Sequence, residues 1–300
     1  VLSGISKWEL ILQMKNYIRL MRVHHYIKNI LVLTPLLFSG QLFEPKKMMD
    51  SMLGFVCFCL LSSIIYIIND INDREHDKNH PVKCKRPIAS GAITVPNAII
   101  VVGTLFVIIV CVCMYMRTNC QSMMWLALYL LLNIGYSKGW KNKPVVDVSI
   151  LAFGFLIRVL YGASVIQVEV SPWLYMTVLT LAYFFGFGKR RNELIRQKSD
   201  NTRIVLRYYS KDFLDKNMYM FLCLGIMFYS LWSVEIATRS VNKIVSVIWT
   251  VPVVILIFMK YCIDIDGESD GDPVEVLLHD KSLLLLCSIY GIILLWILYF

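Results

Sequence analysis

Nine apolar stretches divide the chain, at 28–43, 51–69, 98–116, 122–137, 145–166, 172–188, 218–238, 243–261 and 281–300. Several approach the roughly 20 residues that a bilayer-crossing helix needs, so the pattern predicts an all-α polytopic membrane protein with nine transmembrane helices. The stretches at 28–43 and 122–137 are short, and they are expected to extend or tilt. Connections are short except for 70–97 and 189–217, and no Gly/Ser- or Pro-rich linker interrupts them. The expected division is therefore an amphipathic segment over 1–27 and a single transmembrane catalytic domain over 28–300. In the first segment Trp8, Leu10, Ile11, Leu12, Ile18, Leu20 and Met21 stand among basic positions, the composition of a helix lying in the membrane interface. No cleavable signal peptide is expected, because the first apolar run starts only after about 28 residues and leads into further spans.

Composition strengthens this picture. Of 300 residues, 57% are hydrophobic and 17% charged, with a mean hydropathy of +0.62, outside the range of ordinary water-soluble domains. Most of the nine Cys lie inside apolar runs, where they read as small hydrophobes and not as a disulfide framework or a metal site. The net charge of +9 is unevenly placed: 24 Lys and Arg fall on one side of the nine spans and five on the other, with Arg158 inside a span. The positive-inside rule puts the N-terminus and the basic loops in the cytoplasm, with the chain in the plasma membrane. The positive charge thus reports topology and anionic head groups, and no nucleic-acid partner is expected.

The second span runs out into Asn69-Asp70-Ile71-Asn72-Asp73-Arg74-Glu75-His76-Asp77. On a continuing helix Asp70, Asp73 and Asp77, at i, i+3 and i+7, fall on one face. Three like charges there repel unless solvent screens them or a cation joins them. The hard oxygen set suits Mg²⁺, which uses one or two carboxylates plus substrate phosphates. A solvated helix end is the plainer alternative. In the fifth span Asp147 and Arg158 lie close to three turns apart on one face, and a charge at such depth faces a cavity or a partner. Arg158 is open to two readings, a lipid phosphate or an ion pair with Glu235. The acidic stretch 264–280 fails as an EF-hand, because position six of the loop is Ser269 where the turn needs Gly.

Asn69-Asp70-x-x-Asp73-x-x-x-Asp77 resembles the first aspartate-rich motif of the UbiA superfamily of intramembrane prenyltransferases. Other segments resemble the branch formed by the decaprenyl-phosphate phosphoribosyltransferases. These are Arg22-x-His24-His25-Tyr26-Ile27-Lys28-Asn29 before Pro35-Leu36-Leu37-Phe38-Ser39-Gly40, the Lys85-Arg86-Pro87-Ile88-Ala89-Ser90-Gly91 turn, Tyr136-Ser137 with Asp147, Gly188-Lys189-Arg190-Arg191-Asn192-Glu193, and Asp272-Pro273-Val274-Glu275 with Asp280. Where ordinary prenyltransferases carry a second aspartate motif after the sixth helix, this chain has Lys189, Arg190 and Arg191 with one carboxylate, Glu193.

The resemblance implies a nine-helix fold and a Mg²⁺-dependent enzyme at the cytoplasmic membrane face. It would move 5-phosphoribose from phosphoribosyl pyrophosphate to a polyprenyl phosphate, toward a cell-envelope arabinose donor. Asp70, Asp73 and Asp77 would hold the metal with Asn69 orienting the donor. Lys28, Asn29, Lys85, Arg86, Tyr136, Lys138, Asp147, Arg158, Lys189, Arg190 and Glu193 would bind substrates. The alternative within the same fold is transfer of a prenyl chain from its pyrophosphate to an aromatic acceptor. A transporter is a weaker rival, since it gives no reason for the aspartate triad and the halves show no internal repeat. Lipid chain length and oligomeric state, a homo-oligomer included, stay open.

Overall fold

The computed structural model describes residues 7–79, 82–196, 203–239, 247–267 and 273–300. All regular structure among them is helical. In chain order the α-helices are α1 (Lys7–Met21), α2 (Thr34–Phe38), α3 (Pro45–Asn72), α4 (Arg74–Lys78), α5 (Val95–Tyr115), α6 (Cys120–Ser137), α7 (Val146–Ile166), α8 (Pro172–Ile195), α9 (Lys211–Arg239), α10 (Val251–Asp266), α11 (Pro273–His279) and α12 (Lys281–Tyr299). Among the described residues six helical segments are long and apolar enough to cross a membrane: α3, α5, α7, Lys211–Ile236 within α9, Val247–Asp266 and α12. The chain is a multi-pass membrane protein.

The first expected span, 28–43, is not one helix. Val23–Leu33 forms a 3-10 segment, and a single α-turn, Thr34–Phe38, follows it. The cause is local: Pro35 has no N–H to continue the ladder, and the Leu31 carbonyl accepts from the Thr34 N–H and from its hydroxyl, the latter at 2.8 Å. The aspartate motif also departs from a continuous helix, because α3 stops at Asn72 and α4 starts at Arg74. The break is slight. Asp73 N–H still donates to the Asn69 carbonyl at 2.9 Å and Asp77 N–H to the Asp73 carbonyl at 2.8 Å, so helical spacing persists through the turn.

The described residues fall into two compact units that interleave along the chain. The first takes residues up to Leu37, Gln41–Ser137 and Leu160–Val168; the second takes Phe38–Gly40, Lys138–Val159 and Glu169–Phe300. No linker marks a boundary, and α7 contributes to both.

In the first unit α3 is the central helix, packed by α1, the 3-10 segment, α5 and α6. Phe58 packs at a tilt against Tyr129 and Tyr161, with ring centroids 4.6 and 5.5 Å away. Gly162 has no tolerance for a side chain: a Cβ there would lie 2.0 Å from the Val32 carbonyl oxygen. That close approach seats the 3-10 segment. The second unit is built on the α8–α9 pair, whose seam is aromatic: Phe221 stacks on Tyr183 and Phe187 at 4.6 and 5.7 Å. Phe184 reaches Phe258 and Tyr261 of α10, both at 5.6 Å. Such offset and edge contacts add to the burial of large rings.

Candidate active site

In the first unit the end of α3 sets Asp70 almost fully inside, 3% exposed, and the α3–α4 turn does the same for Asp77 at 1%. Buried carboxylates need partners, and two arginines supply them. Arg22 Nη2 donates to Asp70 Oδ1 at 2.5 Å. Arg86 Nη1 donates to both aspartates, at 3.2 Å to Asp70 Oδ1 and 2.6 Å to Asp77 Oδ2.

Each arginine is positioned by the backbone around it. Arg22 sits between α1 and the 3-10 segment with φ +52°, a left-handed conformation uncommon outside glycine. Its neighbours are pinned to α3, where Ser63 Oγ bonds both the Met21 carbonyl at 2.8 Å and the Tyr26 hydroxyl at 2.7 Å. Its guanidinium lies over the Tyr66 ring, 4.9 Å from the centroid. Arg86 precedes a packed turn anchored by Ile88 and Ile93, both nearly fully buried. That turn closes with Ser90 N–H to the Arg86 carbonyl at 2.9 Å and passes through Gly91 at φ +78°.

Around this core lies a cleft of about 420 Å³. Arg19, Arg22, His24, His25, Lys83, Lys85 and Arg86 line it, and Asp70 is its carboxylate. A concave surface with that balance of charge accepts polyanions. The residues fit a hard dication too, since one cationic nitrogen already gathers an oxygen from each of two aspartates. Among the described residues no three or more His, Cys, Asp or Glu side chains close into a ready metal cage. Asp73 is half-buried at the end of α3 and is not drawn into the Arg86 cluster. Two carboxylates are within the number that Mg²⁺ takes when phosphates supply the rest of its shell. Asn69 lies beside them and accepts from the Ser137 hydroxyl at 2.6 Å.

A second charged cluster occupies the other unit. Asp147, fully buried at the start of α7, accepts from Arg190 Nε at 2.6 Å and from the Tyr209 hydroxyl at 2.6 Å. Arg190, 1% exposed, also donates to Glu193 at 2.7 Å. Tyr209 OH in turn accepts from the Val145 N–H at 2.6 Å. Burial, and then the bond to Asp147, push the Tyr209 hydroxyl above its ordinary pKa, so it remains a donor. Arg191 pairs with Asp215 and, at 2.8 Å, with Asp266. Lys189 is half-buried beside them.

These positions change how several sequence-derived residues read. Arg190 and Asp147, expected at the substrate, are sealed and bonded to each other. Asn29 is 1% exposed and donates to Cys59 Sγ and Ser62 Oγ at 3.3 and 3.4 Å, holding the 3-10 segment on α3. Arg158, 7% exposed, donates to its own helix at the Gly154 carbonyl, 2.7 Å, and lies over Phe155. Lys28 and Tyr136 are half-buried in the first unit, Lys85 is exposed at the cleft, and Lys138 is exposed in the second unit. In the acidic stretch, Lys260 joins Asp264 and Asp280 at 2.5 and 2.6 Å, while residues 268–272 lie outside the described residues. Sequence spacing passed over Arg22, Arg19, Lys83 and Tyr209. Arg22 is 48 positions from Asp70 and Tyr209 is 62 from Asp147, beyond the reach of any periodicity.

Comparisons with known proteins bear on the family and the fold. A decaprenyl-phosphate phosphoribosyltransferase of Corynebacterium glutamicum is 29% identical over 275 residues, covering 89% of this chain and 81% of that one. One from Mycolicibacterium smegmatis is 30% identical over 284 residues, covering 90% and 88%. A UbiA homolog from Archaeoglobus fulgidus, solved bound to GPP and Mg²⁺, superposes with a TM-score of 0.68 at 18% identity over 93% of this chain and 99% of that one. At that identity the likeness speaks for the fold. Residues 32–274 match the UbiA prenyltransferase family. With that match running through most of the chain, and named transferases related over nine-tenths of it, the chain belongs to the UbiA prenyltransferase family and is a membrane transferase.

Proposed function

We propose that this enzyme transfers 5-phosphoribose from phosphoribosyl pyrophosphate to a polyprenyl phosphate and releases pyrophosphate. The observation that carries the reading is the cleft in which Arg22 and Arg86 meet the buried Asp70, with Arg86 also bonded to the buried Asp77, and which Arg19, Lys83 and Lys85 line. The relatives' names, with a decaprenyl phosphate and a phosphoribosyl group in them, support this choice of substrates. In the reaction the ribose C1–O bond to pyrophosphate breaks and a bond from C1 to an acceptor phosphate oxygen forms. The acceptor is already ionised, so no strong base is required, and the residues bind, orient and neutralise.

Asp70 and Asp77 are the residues that would hold Mg²⁺, with Asp73 adding charge at the end of α3. Mg²⁺, when bound, would offset the charge building on the departing pyrophosphate. Arg86 and Arg22 neutralise the carboxylate pair and are long enough to turn toward donor phosphates, as arginines do in bidentate contacts. Lys83 and Lys85 extend that charge along the cleft. Asn69, held by Ser137, orients the donor. In the second unit we assign Lys189 a phosphate contact on charge, with Arg190, Asp147 and Glu193 fixing the helix end that carries it. Lys189, where ordinary prenyltransferases have a second carboxylate motif, favours phosphate-rich substrates over a prenyl pyrophosphate and an aromatic acceptor. The proposed setting is a plasma membrane crossed nine times, with the N-terminus and the cleft on the cytoplasmic side, in a pathway toward a cell-envelope arabinose donor.

The test is direct. Purified protein is incubated with Mg²⁺, labelled phosphoribosyl pyrophosphate and polyprenyl phosphate, and the organic phase is counted. Label should appear there and vanish with EDTA. Transfer of a prenyl chain to a hydroxybenzoate, with phosphoribosyl pyrophosphate ignored, would overturn the substrate reading.

A further inference from the structure

Successive helices joined by a short turn ordinarily pack on each other. α5 and α6, joined by residues 116–119, each pack on α3 but scarcely touch one another. The space between them is an apolar groove of about 440 Å³, with Leu61 of α3 and, on its flanks, Phe106, Ile109, Met123, Leu126 and Leu130. It ends at Arg117 and Thr118. Protein interiors are filled to the density of organic crystals, and a slot of this size left empty would forfeit dispersion contacts along its whole lining. Its lining calls for an apolar occupant.

Arg117 says what stands at the end of that filling. It is exposed and, among the described residues, has no carboxylate partner. Its backbone is left-handed, φ +49°. The turn that holds it there is pinned: Arg117 N–H donates to the Met114 carbonyl at 3.1 Å, and Thr118 donates to the Cys113 carbonyl through its N–H at 3.0 Å and its hydroxyl at 3.1 Å. A non-glycine residue kept in this conformation holds the guanidinium at the mouth of the groove. A guanidinium without a protein partner, beside hydrocarbon, suits a phosphate. The groove's length matches as well. From Phe106 to Arg117 the helix rises roughly 15 Å, half of the ~30 Å hydrocarbon thickness and so the depth of one leaflet. A polyprenyl chain would outrun it. Arg117 also follows the end of α5, whereas the cleft loop around Arg86 precedes its start, so the groove mouth and the proposed active site are at opposite ends of that helix.

We propose that the α5–α6 groove is a binding site for one anionic phospholipid, an acyl chain lying between the helices and the phosphate on Arg117. The site is independent of the reaction proposed above.

The experiment uses the full chain purified in mild detergent, with native mass spectrometry and thermal unfolding in phosphatidylglycerol, phosphatidylcholine or inorganic phosphate. Phosphatidylglycerol should be retained one to one and raise the unfolding temperature; phosphatidylcholine should do so more weakly, and inorganic phosphate not at all. Arg117→Asn keeps a residue at ease in the left-handed turn while removing the charge, and it should cut the preference for phosphatidylglycerol by about 10-fold. Ala127→Trp, at an exposed lining position, should fill the groove and lower retention of both lipids. An undiminished phosphatidylglycerol preference in Arg117→Asn, unchanged lipid retention in Ala127→Trp, or an equal shift from inorganic phosphate would each overturn the proposal.

Discussion

Arg22 and Arg86 in the first unit and Arg190 in the second all hold buried aspartates, but they differ in access to water. The side chains of Arg22 and Arg86 are 19% and 28% exposed against aspartates at 3% and 2%. Arg190 is 1% exposed against Asp147 at 0%. An arginine with one side in solvent can leave its carboxylate and be rehydrated, so we propose that the cation at Asp70 and Asp77 is exchangeable. Arg190 has no such route. Separating a sealed pair strands a charge in low dielectric, and the pair acts as a fastening. On that proposal similar ion-pair chemistry would serve ligand exchange in one unit and rigidity in the other, with exposure of the cation making the difference.

The sharpest way to break this contrast is to remove each cation. Arg190→Met leaves Asp147 buried with the Tyr209 hydroxyl as its donor, and stability should fall by about 3–5 kcal/mol, read as thermal unfolding in detergent. The folded fraction should keep its donor KM; a variant that melts like the parent but loses donor binding would make Arg190 a substrate contact instead. Next in size, Asp70→Asn and Asp77→Asn should each lower turnover by at least ~10²-fold, or about 2.7 kcal/mol, with the protein still folded. Full activity of either variant, or of the parent in EDTA, would end the metal reading.

Arg86→Gln sharpens the comparison further. With the competing guanidinium gone, affinity for Mn²⁺ or Mg²⁺ alone should rise in a calorimetric titration, while affinity for phosphoribosyl pyrophosphate falls by roughly 10- to 100-fold. A metal affinity that stays level would mean that Arg86 does not share the metal's place. Smallest of all, Lys189→Ala should weaken use of a phosphate substrate by about 10-fold. Arg196→Ala, exposed at the end of α8, should change transfer little when the two variants are assayed side by side.

How far each of these residues could be read from the chain depends on the range of the forces that place it. The Asp70–Asp77 register was legible because helical spacing is a property of neighbouring residues, and it survives the small break at Asp73. The basic run at 189–191 was legible as charge. Whether each of its members faces water was not, because Lys189, Arg190 and Arg191 are consecutive and yet differ in exposure and partners. The first apolar run looked like a span by composition, while Pro35 and the close contact at Gly162 made it a 3-10 segment with a short α-turn.

By itself the sequence determined the solvent and the class of structure: apolar runs of bilayer length force every backbone group into helical bonds. It also determined the aspartate spacing, since i, i+3, i+7 on a helix needs no distant partner. Tertiary structure alone decided which arginine meets which aspartate, 48 residues apart in one case and 43 in another, and which of those pairs is open to water. Ion pairing acts through space over a few ångströms, and burial is set by every helix that packs around the pair. Neither quantity is written in the local order of residues.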